Sequence, residues 1–315
     1  MLNKKAFEFS FSWIFAIIVG AVMIFLAVYA ASQFVKTSQL SQDTQLGKEL
    51  GIILTPIETN LETGKITTIS TQNDIRIFND CQLQGAFGSQ KISIAAKSLN
   101  DEWSKQGLPS SFHNKYIFSS SIMEGKEYFV FAKPLEMPFK IADLIYLWPS
   151  QEQYCFINPP SEIEDEISEL GINISLVSSL SECMKDSKKV CFSSSGCDID
   201  ISLNSGLIQG SAKKKFSERV YFDSPALLYA SIFSDPEIYE CQIKRLMKRT
   251  SELSWLYYSK SIFLTPKGCS SNLELELSSY ANKTFSINNS FNLRDVYSIS
   301  QNIRRKNNDL SCKLF

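Results

Sequence analysis

The chain has 315 residues, of which 44% are hydrophobic, 12% aromatic and 21% charged. This balance is that of a globular protein, and it excludes an intrinsically disordered chain, a collagen and a polytopic membrane protein. Basic and acidic residues number 32 and 33, and the net charge of -1 argues against a nucleic-acid partner. The single histidine, His113, leaves little room for histidine metal sites or for a Ser-His or Cys-His relay.

An unbroken apolar run begins at Trp13 and ends at Ala31, and no charged residue lies between Glu8 and Lys36. A helix of about 20 residues, rising ~1.5 Å per residue, crosses a hydrocarbon core of ~30 Å. A buried helix of a soluble protein would carry polar residues on one face at this length, and this run has no such face. The run therefore predicts a transmembrane helix whose partner is the lipid bilayer.

The charges that flank the run predict its orientation. Lys4 and Lys5 precede it, and Lys36 alone follows it closely. Because basic residues favour the cytoplasmic side, the N-terminus is expected in the cytoplasm and the rest of the chain outside the cell membrane. Residues 1–36 are then a cytoplasmic tip and a signal-anchor helix.

Two forms of processing are alternatives to an uncleaved anchor. Val28-Tyr29-Ala30 is a small-residue cleavage site, although the apolar run is longer than the ~7–15 residues usual for a signal peptide. The segment Lys5-Ala6-Phe7, a short basic leader before a long apolar helix, resembles a type IV prepilin or an archaeal class III signal sequence. That resemblance implies cleavage near Ala6 and a pilin-like filament subunit. Bacterial pilins place a Glu five residues into the mature helix, whereas Glu8 would be the second residue here.

All eight cysteines follow the apolar run. The predicted location outside the cytoplasm is oxidising, so the even number predicts up to four structural disulfides. Cys191 and Cys197 flank a turn, and a bridge between them and a bridge from Cys183 to either are both open. No CxxC occurs, so neither a redox pair nor a zinc ribbon is indicated. The disulfide candidates are Cys81, Cys155, Cys183, Cys191, Cys197, Cys241, Cys269 and Cys312.

An α+β fold is predicted, strand-rich first and helix-rich at the C-terminus. Residues 37–62 predict a helical stalk, which Thr55-Pro56 should end or kink because proline disrupts a helix. Residues 63–222 predict a strand-rich α/β region, and residues 223–315 a helical region packed on it; the two are one domain or two. The expected strands are 66–70, 75–78, 91–96, 127–132, 153–158, 173–177, 189–193 and 198–203, and 141–148 is strand or helix.

Within the α/β region, residues 153–177 predict a strand-helix-strand unit. Ser161 and Glu164 form a capping-box pattern at the start of its helix. The crossover predicts that part of the sheet is parallel. The next two strands are expected to form a hairpin around residues 194–196.

In the helical region, Ser224-Pro225 and Asp235-Pro236 each place a capping residue before a proline at the first helical position. They predict a short helix and a long helix that ends near Phe263. The long helix carries a seam spaced by four and three residues, which predicts packing within the chain more than a dimer seam, because the repeat is short for a coiled coil. The seam residues are Tyr239, Ile243, Leu246, Thr250, Leu253 and Tyr257.

A final helix is predicted to begin at Leu293 and end at Ile303. The simplest packing lays it against the long helix. Cys312 would then bridge back to Cys269 or Cys241.

Few motifs indicate chemistry. The phosphate-binding glycine loops, HExxH and Gly-x-Ser-x-Gly are absent from the sequence, and no cofactor or metal is predicted. Asp198 and Asp200 share one face of a predicted strand, where paired acids can hold a cation or perform acid-base chemistry. A solvated polar face is the preferred interpretation of this pair.

A basic cluster on the long helix is a weak candidate for partner binding. Lys244 and Lys248, and likewise Arg245 and Arg249, are neighbours four residues apart. They could contact anionic headgroups, glycans or an acidic protein, although a solvated helix face is the commoner role.

The sequence therefore predicts a membrane-anchored extracytoplasmic protein of the cell envelope. Its expected role is structural, scaffolding or binding, toward another envelope protein or itself, with no evident catalytic site. A pilin-like subunit processed near Ala6 and an envelope hydrolase that uses paired acids are the alternatives.

Overall fold

The computed structural model describes residues 11–60, 66–98, 101–170, 173–192, 194–204 and 209–315. It confirms the predicted mixture of helices and strands, at 45% helix and 30% strand. The predicted cytoplasmic tip, with Lys4, Lys5 and the processing site near Ala6, lies outside the described residues.

Helix α1 is one uninterrupted helix, Phe11–Asn60. At ~1.5 Å per residue its length is about 75 Å. The helix continues through Pro56, so, of the end or kink predicted at that position, the end is wrong. Proline removes a single helical hydrogen bond, and the turn before it is held in the core by Leu50 and Leu54, which are 5% and 0% exposed.

The first sheet packs under the second half of α1. It is antiparallel apart from its last strand, which runs parallel to its neighbour. Side chains alternate between its two faces: Val130 lies in one cluster with Leu50 and Leu54, whereas Phe131 faces the main core. Its strands are β1 Thr67–Gln82, β2 Ser89–Ala96, β3 Ser110–Phe112, β4 Tyr116–Phe118, β5 Ile122–Glu136 and β6 Lys140–Pro149, in the order β3-β2-β1-β5-β6-β4.

The segment predicted to be a stalk packs against the folded region instead of standing apart from it. Asp43 in α1 is 2% exposed, and its carboxylate accepts a hydrogen bond of 2.5 Å from Ser104 Oγ. Burial raises the pKa of Asp43, and the bond from Ser104 partly offsets that rise. Thr44 Oγ1 accepts from the Leu108 amide at 3.0 Å. The second half of α1 belongs to the folded region.

The second sheet contains the predicted strand-helix-strand unit. Helix α2, Ser161–Leu170, connects two parallel strands, as expected. The strands are β7 Tyr154–Ile157, β8 Ile174–Val177, β9 Lys188–Phe192, β10 Ile199–Leu203, β11 Gly210–Lys214 and β12 Arg219–Phe222. Their order is β12-β11-β10-β9-β7-β8, with β8, β7, β9 and β10 parallel to one another.

Two local predictions in this sheet are wrong. The capping box does not form, because the Glu164 amide donates to the Pro160 carbonyl at 2.9 Å, which places Ser161 inside the helix. The expected hairpin is a parallel pair, with Val190 opposite Ile199. The disulfide between Cys191 of β9 and Cys197, two residues before β10, links the two parallel strands across their connection.

Four helices complete the fold, α3 Pro225–Phe233, α4 Pro236–Leu264, α5 Glu274–Phe285 and α6 Leu293–Asn308. Residues 226–233 of α3 are all buried, as expected for a helix that is apolar on every side. The helix contacts strands of both sheets, and Tyr229 packs edge-on against Phe131 with 5.7 Å between ring centroids. Residues from the predicted α/β and helical regions share one core around α3.

The seam of α4 faces this core, so its predicted packing within the chain is confirmed. Its neighbour, however, is α5, which occupies the place predicted for α6. Helix α6 instead packs against α5 and β12. Helix α5 was not predicted, although its buried residues follow helical spacing. They are Leu277, Tyr280, Ala281 and Thr284.

All eight cysteines form pairs in the structure. The longest link joins β1 to α4 across 160 residues, and the shortest closes a loop of 6 residues. Of the two partners proposed for Cys312, Cys269 is the observed one. The pairs are Cys81–Cys241, Cys155–Cys183, Cys191–Cys197 and Cys269–Cys312.

Candidate functional site

The first half of α1 is an exposed apolar surface. Among the described side chains from Phe11 to Val35 none is buried, and Phe25 and Phe34 are 69% and 78% exposed. This is the helix of the described chain that is long and apolar enough to cross a membrane. A contiguous apolar surface of this size needs lipid or other helices to cover it.

The predicted basic cluster on α4 divides into inward and outward residues. Arg245 is fully buried, so its proposed role in partner binding is wrong. Its guanidinium donates to the carbonyl oxygens of Phe87 at 3.1 Å, Lys115 at 2.9 Å and His113 at 3.0 Å. It also lies over the Tyr116 ring, 4.7 Å from the centroid. Burial lowers the pKa of Arg245 to about 10.

Arg249 is also engaged within the fold, since its Nε donates to the Ile141 carbonyl at 2.7 Å. Lys244 and Lys248 lie about 100° around the helix from the two arginines and are half-buried. The irregular chain around β3 and β4 leaves carbonyls without strand partners, and Arg245 supplies their donors. Arg245 follows the buried residues Ile238 and Gln242 at helical spacings of seven and three, and this spacing places it on the buried face of α4.

We expect Arg245→Ala to lower the free energy of unfolding by about 3 kcal/mol, because it leaves several buried carbonyls without donors. Lys248→Ala is the matched control on the next turn and should change stability by less than ~0.5 kcal/mol. Urea unfolding followed by circular dichroism measures both variants. Equal stability of the two variants would contradict the structural role of Arg245.

The paired acids stabilise a loop. Asp198 Oδ2 accepts from the Lys189 amide at 2.9 Å. Asp200 accepts from the amides of Gly196 at 3.2 Å and Cys197 at 3.0 Å. Asp200 also lies beside the sulfurs of the Cys191–Cys197 disulfide, but disulfide sulfurs are not the thiolates that bind metals. Both acids are thus occupied by backbone amides.

A cavity of about 380 Å³ lies between β12 and the start of α6. Asp223 directly follows β12 and is 3% exposed. Neither of its carboxylate oxygens accepts a hydrogen bond from another side chain or amide of the described chain. Burial raises the pKa of Asp223 to about 7, with its own backbone amide partly opposing that rise. We call this cavity, with Asp223 in its wall, the Asp223 pocket.

The neighbouring elements hold the walls of the Asp223 pocket in place. Ser290 begins a short turn, and its Oγ accepts from the Tyr221 amide of β12 at 2.8 Å. Its own amide donates to Glu240 of α4 at 2.8 Å. The Phe291 ring then lies edge-on to the Tyr221 ring, with 5.2 Å between centroids. Strand, helix and turn are thus connected independently of any ligand.

Charged side chains surround the mouth of the pocket. Arg219 on β12 and Arg294 on α6 are exposed, and within the described chain neither forms a hydrogen bond or an ion pair. Asp295 lies 3.5 Å from Lys283. No sequence motif identified Asp223. The one local feature that could have drawn attention to it is an acidic residue placed between an apolar strand and the capping residue of a buried helix. Ser224 provides that cap by accepting from the Leu227 amide at 3.3 Å.

Comparisons with protein-family models, with curated proteins and with solved structures found no match to this chain. The functional proposals below are therefore argued from the residues themselves.

Proposed function

We propose that this chain is a single-pass membrane-anchored protein of the cell envelope whose disulfide-bonded α+β region lies outside the cytoplasm. Its role is structural, scaffolding or binding, toward another envelope protein or itself. The observation that supports anchoring is the division of α1 into an exposed apolar half and a half that is packed into the domain. One helix carries both halves without interruption.

The geometry of α1 implies a short distance between bilayer and domain. The apolar half ends at Val35, and Asp43 is the first buried side chain among those that the structure describes along α1. Eight residues of helix, 43 minus 35, correspond to about 12 Å. The folded region would thus lie close to the membrane surface, at a fixed angle to the spanning helix.

The disulfides support the extracytoplasmic side. Each of the eight cysteines has a partner at bonding distance, and disulfides persist in oxidising compartments. The orientation itself is proposed from Lys4 and Lys5, which precede the span. The paired-acid hydrolase is no longer proposed, because Asp198 and Asp200 are bonded to the amides of their own loop.

We expect Val22→Arg combined with Leu26→Arg to release the full chain from membranes. Each arginine near the centre of a span costs about 2.5–3.5 kcal/mol on insertion. Alkaline extraction of membranes, followed by immunoblotting of pellet and supernatant, measures the release. The wild-type chain should remain in the pellet.

The control places two arginines at exposed positions of the same helix beyond the span, Ser41→Arg with Ile52→Arg. This variant should remain in the pellet. If the Val22 and Leu26 double variant also stays in the pellet as firmly as the wild type, α1 does not anchor the chain through lipid.

A peptide map of the unreduced protein tests orientation and processing together. Four bridged pairs support the extracytoplasmic location, whereas free thiols would indicate a domain that faces the cytoplasm.

The pilin-like alternative is kept because other helices could also cover the apolar half of α1. It requires a mature N-terminus at Phe7, and a chain that begins at Met1 or Leu2 would exclude it.

A further inference from the structure

We propose that Asn288 is an N-glycosylation site, the acceptor of an oligosaccharide from a lipid-linked donor. The chain contains three Asn-x-Ser/Thr sequences, the acceptor pattern for this modification, at Asn173, Asn282 and Asn288. The pattern is short and arises readily by chance, so the surroundings of each asparagine have to distinguish the three. This inference rests on the proposed location of the domain outside the cytoplasm.

The side chain of Asn173 is engaged in the fold. It is half-buried, and its Nδ2 donates to the carbonyl oxygens of Ser150 at 2.7 Å and Glu152 at 3.2 Å. Nδ2 is also the atom that a sugar would be joined to. A sugar there would remove one of the two hydrogen bonds and would have to fit into a half-buried position, so the folded protein disfavours Asn173 as the acceptor.

Asn282 is exposed, but it lies within α5. Thr284, the hydroxyl residue of its acceptor pattern, is fully buried, and its Oγ1 donates to the Tyr280 carbonyl at 2.9 Å. A transferase must contact the asparagine and the hydroxyl residue together. Helix α5 would have to unwind before it could present Asn282 and Thr284 to an enzyme.

Asn288 is exposed and lies in the irregular segment between α5 and the short turn that begins at Ser290. Within the described chain its side chain forms no hydrogen bond. The next residue, Asn289, has an extended backbone, with φ -159° and ψ 167°. Ser290 is buried and bonded to Glu240, but only one short turn has to open to present it, whereas Asn282 requires a helix to unwind.

The structure leaves room for the sugar. Asn288 lines an open groove of about 640 Å³ between the β11–β12 hairpin and the start of α4. Two aromatic rings of this groove face water, since Phe216 is 96% exposed and Phe291 is 64% exposed. The C–H faces of a sugar ring pack well on aromatic rings, so a glycan on Asn288 would cover apolar surface that is otherwise in contact with water.

The reaction joins Asn288 Nδ2 to the anomeric carbon of the first sugar of the donor. The bond from that carbon to the phosphate of the lipid carrier breaks, and the lipid phosphate leaves with the electron pair. One amide proton passes to a base of the transferase. The transfer needs no oxidant or reductant, and the linked amide remains uncharged.

The test is a peptide map by mass spectrometry of the native full-length protein, extracted from the membranes of the cells that produce it, with and without reduction. Trypsin cleaves after Lys267, Lys283 and Arg294, so Asn282 and Asn288 fall in separate peptides, 268–283 and 284–294. We expect peptide 284–294 to carry the additional mass of one or more sugar residues in most molecules. Peptide 268–283 and the peptide that contains Asn173 should be mostly unmodified.

Two variants confirm the acceptor atom. Asn288→Gln removes the acceptor, and the intact protein should lose the whole sugar mass. Asn289→Gln is the matched control, because it changes the neighbouring exposed residue and retains the Asn-x-Ser pattern, so the sugar mass should remain. Circular dichroism of both variants checks that they fold like the wild type.

The same map separates this proposal from the proposed location of the domain. An unmodified peptide 284–294 together with four bridged cysteine pairs would overturn the glycosylation of Asn288 and leave the extracytoplasmic location standing. Free thiols together with no sugar would overturn both. Higher sugar occupancy at Asn173 or Asn282 than at Asn288 would also contradict the proposal, because exposure and local structure would then not determine the acceptor.

Discussion

Replacing Cys81 and Cys241 together by alanine is expected to lower the free energy of unfolding by about 5 kcal/mol, the largest loss among the four disulfides. A bridge restricts the unfolded chain, and the restriction grows with the logarithm of the loop that it closes. This bridge closes 160 residues, and it links β1 of the first sheet to α4 beside the main core. Removing this bridge therefore raises the conformational entropy of the unfolded chain more than removing any of the other three.

The matched control is Cys191→Ala with Cys197→Ala. Its loop of 6 residues predicts a loss of only ~2 kcal/mol from chain entropy. Guanidinium unfolding of the two variants and of the wild type, all in the same detergent, gives the comparison. If the short-loop variant were the less stable of the two, local packing rather than chain entropy would determine what these bridges contribute.

Asp223→Asn is expected to make the protein more stable than the wild type above pH 7, by up to about 4 kcal/mol. The folded-state pKa of Asp223 is about 7, against 3.8 for an ordinary aspartate, because the carboxyl is buried. The folded state thus holds its proton more tightly than the unfolded state. The wild type loses this part of its stability as pH rises from about 4 to about 7, and asparagine stays neutral throughout.

The measurement is the free energy of unfolding of both proteins at several pH values between 4 and 8. The difference between them should be close to zero near pH 4, grow through pH 5 to 7 and then become constant. Asp43 also has a raised pKa, but its contribution is the same in both proteins and cancels in the difference. A difference that does not change with pH would mean that Asp223 has a donor in the folded protein.

The residues changed in these two variants differ in how far the local sequence predicts their roles. The cysteines were recognised from their even number and their position after the apolar run, because both features are typical of a disulfide framework. Which cysteine pairs with which depends on how distant segments meet, and a link such as Cys81–Cys241 has no local signature. Asp223 carries no motif, because its significance comes from what surrounds it in space.

The difference between local patterns and long-range contacts also explains why the burial of Arg245 and the docking of α1 were not predicted. The i,i+4 pattern of α4 suggested a basic surface, but Arg245 points toward the carbonyls of Phe87, His113 and Lys115, which are more than 100 residues away in sequence. Residues 37–62 were predicted to be a helical stalk, and the described part is helical as far as Asn60, beyond the proline at which an end or a kink was expected. Their docking on the first sheet depends on Ile92 and Ile94 of β2, which lie beneath Leu50 in the same cluster.

By itself the sequence determined the features that neighbouring residues control: the apolar run from Trp13 to Ala31, the β7-α2-β8 crossover, and the starts of α3 and α4 at the prolines of Ser224-Pro225 and Asp235-Pro236. Of the two predicted caps, however, only Ser224 forms, because the Asp235 side chain accepts hydrogen bonds from Ser121 instead. Helical spacing, strand alternation and capping act over a few residues, so they can be read directly. Only the tertiary structure decided the disulfide partners, the parallel β9–β10 pair, the burial of Arg245 and the unpaired carboxylate of Asp223. These depend on contacts between segments that are distant in the chain, and the free energy of such contacts is determined only when the segments pack together.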